Sequence, residues 1–178
     1  MQPINTQVSR YDFLTILFHW LVALLVLEQF IGGLTIDLFP RGPMRANAIS
    51  VHILLGGTLA ALVLLRILWR FTLGRQLPTE PGFLNKIAKG VHHLLYLLLV
   101  VLVLVGLVLT SARGDAVFDW FKIWSFAPGN RDLAHQIAEI HELLGYLIIG
   151  VVALHALGAL FHRIVLKDRI YYRMTFRA

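Results

Sequence analysis

The stretch His141–Asp168, HELLGYLIIGVVALHALGALFHRIVLKD, decides the fold. It is the heart of an apolar segment running from Leu133 to Val165, longer than the roughly 20 helical residues that cross a hydrocarbon core. Three further segments of the same kind precede it, at about Phe13–Ile36, Ile49–Phe71 and Ala88–Thr110. Together they use up the chain as one four-helix domain over residues 1–178. Lipid offers no water to backbone polar groups, so only helices or a closed barrel can span it. Runs such as YLLLVVLVLVGLVL lack the alternation of a barrel strand, which leaves an all-α integral membrane bundle. Composition agrees, with 58% hydrophobic and 15% charged residues and a mean hydropathy of +0.74, outside the range of soluble globules.

Charge sets the orientation. The formal charge of +6 does not point to nucleic acid, because most basic residues flank the spans. Arg10, Arg66, Arg70, Arg75, Lys86, Lys89, Arg163, Lys167, Arg169, Arg173 and Arg177 fall on the side of the termini and the 72–87 connection. Arg41, Arg45, Arg113, Lys122 and Arg131 fall on the side of the 37–48 and 111–132 connections. The excess places both termini in the cytoplasm. FPRGP, LPTEPG and FAPGN punctuate the helix boundaries. MQPINTQVSRYDF has one basic residue and no small-residue cleavage site, so no removable signal peptide is expected. In the last connection, AVFDWFKIW has the helical spacing of a short interfacial helix, with an irregular loop as the alternative.

With no cysteine, disulfides, iron–sulfur clusters and thiolate zinc sites are excluded, and the eight histidines are the candidate metal ligands. His141 and His155 are 14 residues apart. At about 100° per residue this returns the second side chain to within roughly 40° of the first, about 21 Å further along the axis. His19, near the start of the first helix, is level with His155, and His52, near the start of the second, is level with His141. Two histidine pairs at two depths match two haems, each held from both faces. A zinc site would need ligands converging at about 2 Å, which this spread denies. Four ionisable groups at matched depths in lipid are unusual without a function.

Other residues have two readings. Gly56 and Gly145, each four residues after a histidine, either clear room for a macrocycle or serve helix packing. Ala23 and Ala159 hold the equivalent positions for the other pair. Arg66, on the His52 stripe, is either a partner for a haem propionate or a snorkelling arginine. His162, seven residues beyond His155, suits a quinone carbonyl, or is a solvated histidine at a basic helix end. His92 and His93 could line the same pocket. Glu28 sits on the face opposite His19 and is assigned no chemistry. His135 points off the ligand stripe and reads as a surface histidine.

RYDFLTILFHW, SVHILLGGTLAALVLLRILWR, VHHLLYLLL and the helix-4 stretch together resemble the prokaryotic cytochrome b561 family of small di-haem membrane cytochromes, whose characterised activity includes superoxide oxidase. The resemblance covers nearly the whole chain. It implies haem b held by His19 with His155 and by His52 with His141, and ubiquinone near the cytoplasmic haem, with His162 at the matching position. FPRGPMR and SARGD resemble the basic segments where superoxide approaches, which makes Arg41, Arg45 and Arg113 candidates for drawing in that anion, while Ala116–Arg131 departs from the pattern. The expected activity is a superoxide:ubiquinone oxidoreductase of the bacterial inner membrane. The competing reading is an electron-transfer subunit linking the quinone pool to a redox partner protein. Metal transport or haem sensing would need a path or an effector domain, and neither is visible.

Overall fold

A computed structural model describes residues 10–78, 82–168 and 170–176. Arg169 and Arg177, counted above among the basic residues, lie outside the described residues, as do parts of MQPINTQVSRYDF and LPTEPG. The chain forms α1 (Phe13–Ile36), α2 (Pro43–Thr72), α3 (Phe83–Arg113) and α4 (Arg131–Phe161). All four are long and apolar enough to cross a membrane. The protein is an all-α membrane four-helix bundle.

The exterior shows why. Leu24, Leu64, Leu97 and Leu154 are 59–65% exposed, one on each helix, so the outward surface is as apolar as lipid requires. Inside, each helix gives two residues to one aliphatic core: Val22 and Val26, Leu59 and Val63, Leu98 and Leu99, Ile148 and Val151. α1 packs chiefly on α2, and α3 on α4.

α1 keeps the bounds read from hydropathy, while α2 and α3 outrun theirs and α4 starts two residues early. α2 begins at Pro43 rather than Ile49, because a proline at the first helical position forfeits an N–H that has no partner there anyway. α3 begins at Phe83 rather than Ala88 and continues to Arg113, where Gly114 takes a left-handed conformation (φ 66°) and ends it. Asn130 caps α4 by accepting from Leu133 N–H at 3.1 Å. Asp12 caps α1 and does more. Its carboxylate accepts from Thr15 N–H, Thr15 Oγ1, Trp69 Nε1 and Arg75 N–H at 2.6–2.9 Å, tying the start of α1 to the end of α2.

The interfacial helix expected in AVFDWFKIW does not form. Ala116–Val117 and Phe121–Lys122 make a small antiparallel hairpin, with Ala116 opposite Lys122 and Val117 opposite Phe121. Its turn residues Phe118 and Asp119 are left-handed (φ 48° and 59°). Gly114 stops helical propagation, and Ser50 of α2 claims the backbone beyond it. Ser50 is 2% exposed; its hydroxyl accepts from Phe118 N–H at 3.0 Å and shares its one proton between the Ala46 and Ala116 carbonyls, 3.0 and 3.3 Å away.

Candidate functional site

The bundle brings the four histidines together in the expected pairs. Near the hairpin end, His52 of α2 and His141 of α4 face each other with ring centres 6.2 Å apart. Near the termini, His19 of α1 and His155 of α4 face each other at 6.1 Å. The two levels are separated by the aliphatic core, since Leu59 and Ile148 each lie seven residues along from a hairpin-end histidine and Val22 lies three beyond His19.

The residues at both levels fit a haem held from two sides. Two metal–nitrogen bonds of about 2 Å plus the two ring half-widths give a centre-to-centre separation near 6 Å. Both pairs have that separation. His52 Nδ1 and His141 Nδ1 are buried without a hydrogen-bond partner among the described residues, as is Arg66 Nη1. Buried polar atoms left over in this way mark groups whose partner comes from elsewhere. Arg66 is partly satisfied on its other edge. Its Nε donates to the Tyr96 hydroxyl at 2.9 Å, and its guanidinium lies 5.7 Å from the Tyr96 ring centre. That leaves a cationic edge inside the bundle, beside the His19–His155 level, suited to a carboxylate.

Several glycines border the hairpin-end level. A Cβ at Gly56 would meet Gln29 Oε1 at 3.6 Å, and one at Gly145 would meet Phe30 Cδ2 at 3.9 Å. Both are ordinary contact distances to side chains of α1. The glycines that lie against imidazoles are on adjacent helices. A Cβ at Gly106 of α3 would stand 3.1 Å from His141 Cε1, and one at Gly33 of α1 would stand 3.5 Å from His52 Cε1. Gly106, Gly33 and Tyr96 were not singled out by sequence spacing, because their role depends on how neighbouring helices are rotated against one another.

The remaining candidates separate. His92 joins the termini-end level, its ring centre 5.1 Å from that of His155. His135 is exposed and paired with Glu139 at 3.4 Å. Glu28 accepts from Gln29 Nε2 at 3.1 Å and approaches the Gly32 backbone rather than the His19 level. At the hairpin end, Arg41 and Arg113 are exposed, while Arg45 is ion-paired with Asp37. A cavity of about 140 Å³ there is lined by Asn47, Ser50, Asp115 and Asp119 among others. Burial pushes the Asp115 carboxyl above its ordinary range, with Arg113 pulling the other way.

His162 lies where α4 opens into a π-helical turn, His162–Leu166. Its Nδ1 is 2.5 Å from Asp168 Oδ2, with the two side chains 20% and 33% exposed. Asp168 was not among the residues read as candidates; its only trace in the sequence is the H-x5-D spacing in HRIVLKD.

The sequence profile of prokaryotic cytochrome b561 matches residues 10–177. The chain is 33% identical over 176 residues to cytochrome b562 of Cereibacter sphaeroides, covering 95% of this chain and 97% of that one. It is 32% identical over 171 residues to a probable superoxide oxidase of Yersinia pestis, covering 93% and 96%. It is 28% identical over 177 residues to cytochrome b561 homolog 2 of Escherichia coli, covering 93% and 91%.

Proposed function

The chain belongs to the prokaryotic cytochrome b561 family, which makes it a bacterial multi-pass membrane redox protein of the haem b class, and from that premise we propose that it is a di-haem superoxide:ubiquinone oxidoreductase. The observation that carries this reading is the pair of imidazole couples, 6.2 and 6.1 Å apart, on either side of one aliphatic layer.

In this reading the protein acts as one four-helix unit in the inner membrane, with the termini end cytoplasmic and the hairpin end outward. The excess of basic residues toward the termini supports that orientation. His52 and His141 would hold the outer haem and His19 and His155 the inner one, and Arg66 would offer its unpartnered guanidinium edge to a haem carboxylate. Bound haem supplies reversible one-electron chemistry at its iron. The protein's part is to fix ring orientation, exclude water and place charge. Two superoxide anions give up one electron each and leave as oxygen, and ubiquinone takes two electrons and two protons to become ubiquinol. Arg41 and Arg113, exposed at the outward end, attract the anion, Arg113 with part of its field taken by Asp115, and Arg45 contributes less because Asp37 neutralises it. His162 is placed to hydrogen-bond a quinone oxygen and pass it a proton.

One observation favours a second reading. Asp115 and Asp119 line the outward cavity, which suits a donor other than a small anion, such as a partner protein feeding the same wire. The two readings part in proteoliposomes supplied with superoxide. Ubiquinol formation that is abolished by superoxide dismutase supports the oxidase. Failure of superoxide to reduce the protein, with a redox subunit co-purifying, supports the relay. The di-haem core stands or falls separately: two low-spin b-type haems per chain are expected, falling to one in His52→Ala and to one in His19→Ala. A stoichiometry of one in the unaltered protein overturns it.

A further inference from the structure

The end of α4 is built around one side chain. Past Phe161 the helix widens to a π turn, Lys167 takes a left-handed conformation (φ 51°), and the His162 carbonyl accepts from both Lys167 N–H and Asp168 N–H. This doubling back carries Asp168 over the His162 ring. Asp168 Oδ2 meets His162 Nδ1 at 2.5 Å, and Asp168 Oδ1 accepts from Ile170 N–H at 3.0 Å. The Arg163 guanidinium, next to His162, stacks 4.8 Å from the Tyr171 ring centre.

A carboxylate only accepts hydrogen bonds, so the imidazole nitrogen it touches must carry the proton. With Nδ1–H held by Asp168, the ring exchanges protons with its surroundings through Nε2 alone. We propose that Asp168 is a positioning residue that locks the His162 tautomer and thereby makes Nε2 the atom through which protons reach the reduced quinone. This rests on the reading of His162 as the quinone-site histidine. The step is balanced. The ring, protonated at Nδ1 toward Asp168, first takes a proton at Nε2 from cytoplasmic water; when the quinone oxygen has gained an electron, that Nε2–H bond breaks and an O–H bond forms. The ring, still protonated at Nδ1, takes up the next proton at Nε2 from cytoplasmic water. Each such cycle supplies the proton at the oxygen that His162 meets; the proton at the opposite oxygen of ubiquinol comes from water.

Asp168→Asn separates this role from simple capping. The asparagine oxygen still caps Ile170, but its amide group now donates toward Nδ1, which moves the ring proton to Nε2. With an N–H donor facing Nδ1 the ring cannot hold a second proton there, so giving up the Nε2 proton would leave an unfavourable imidazolate. With pre-reduced protein and a short-chain ubiquinone, Asp168→Asn is expected to slow quinone reduction at least about tenfold, a part of the roughly 10²–10⁴-fold that a positioned general acid contributes. KM and the equilibrium binding of the same quinone stay within about twofold, and haem content is unchanged. Asp168→Glu, which keeps the carboxylate, recovers most of the rate. In protein labelled with 15N-histidine, the resonance absent from His162→Phe moves from the Nδ1–H to the Nε2–H position in Asp168→Asn. A full rate in Asp168→Asn beside a slow His162→Phe overturns the positioning role while leaving the quinone site in place. A full rate in His162→Phe overturns the quinone site itself. Should Asp168→Asn lose its fold, a folded Asp168→Glu with unshifted tautomer but a rate as low as His162→Phe counts against the proposal.

Discussion

Replacing Gly106 by alanine tests whether the hairpin-end imidazole is held by the bundle or merely present in it. The added methyl group would stand 3.1 Å from His141 Cε1 and 3.5 Å from Nδ1. Those contacts are a few tenths of an ångström too short, and the ring cannot yield freely, because it must face His52 with centres 6.2 Å apart. Overpacking of this kind costs about 1–3 kcal/mol, against a gain of about 1 kcal/mol from replacing a helix-interior glycine. The net effect falls on the ligand geometry at about 0–2 kcal/mol, where 1.4 kcal/mol is tenfold in haem affinity. Gly106→Val, bulkier at the same point, gives more. The assay is haem content per chain together with the low-spin electron paramagnetic resonance signals, which separate two haems in different surroundings. The outer signal is expected to shift or weaken in Gly106→Ala and to vanish in Gly106→Val, with the inner signal intact. Gly150→Ala, whose new methyl group meets nothing within 4 Å, leaves both signals unchanged. Unaltered spectra and full haem content in Gly106→Val would refute the claim that Gly106 sets the position of His141.

Two further outcomes concern the scaffold. Burial pushes the Asp12 carboxyl upward, but its hydrogen bonds from Thr15, Arg75 and Trp69 outweigh this and hold it below the ordinary carboxylate range. A carboxyl depressed on folding stabilises the protein above about pH 4 and loses that contribution as the pH falls. Asp12→Ala should therefore lower the detergent-solubilised melting temperature at pH 7, by the equivalent of about 1–2 kcal/mol, with the gap to the unaltered protein narrowing toward pH 3. An undiminished gap at low pH would show that packing, not the charge, matters there. Ser50→Val strands the Phe118 N–H and should cost about 1–3 kcal/mol, read as faster proteolysis between Phe118 and Trp124 at unchanged inner-haem content.

The four spans and the histidine pairing were legible because both rest on periodicity. A 14-residue interval on one helix and mirrored positions on two others need only the helical rise to place them. The helix ends were less so, since hydropathy registers the lipid-crossing part and is blind to the polar turns Pro43–Ala48, which are helical all the same. The hairpin was illegible for a different reason. The aromatic spacing of AVFDWFKIW is real, but its conformation is decided by Ser50, 68 residues from the Phe118 amide it binds. Gly106 and Tyr96 likewise act across helix–helix contacts, and Asp168 reaches His162 only because the last turn of α4 widens.

The aliphatic layer between the histidine levels also has an electrical meaning. Val22, Val26, Leu59, Val63, Leu98, Leu99, Ile148 and Val151 hold no group that could carry a proton or order a chain of water. On the di-haem reading proposed above, an electron passing from one level to the other would leave its proton behind, and each crossing would charge the membrane like the plates of a capacitor. The work is about 2.3 kcal/mol per 100 mV for a charge crossing the full field, and proportionally less for this partial thickness. Turnover in energised vesicles should therefore speed up or slow down with the sign of the applied voltage, a dependence that a wetter bundle interior would short-circuit.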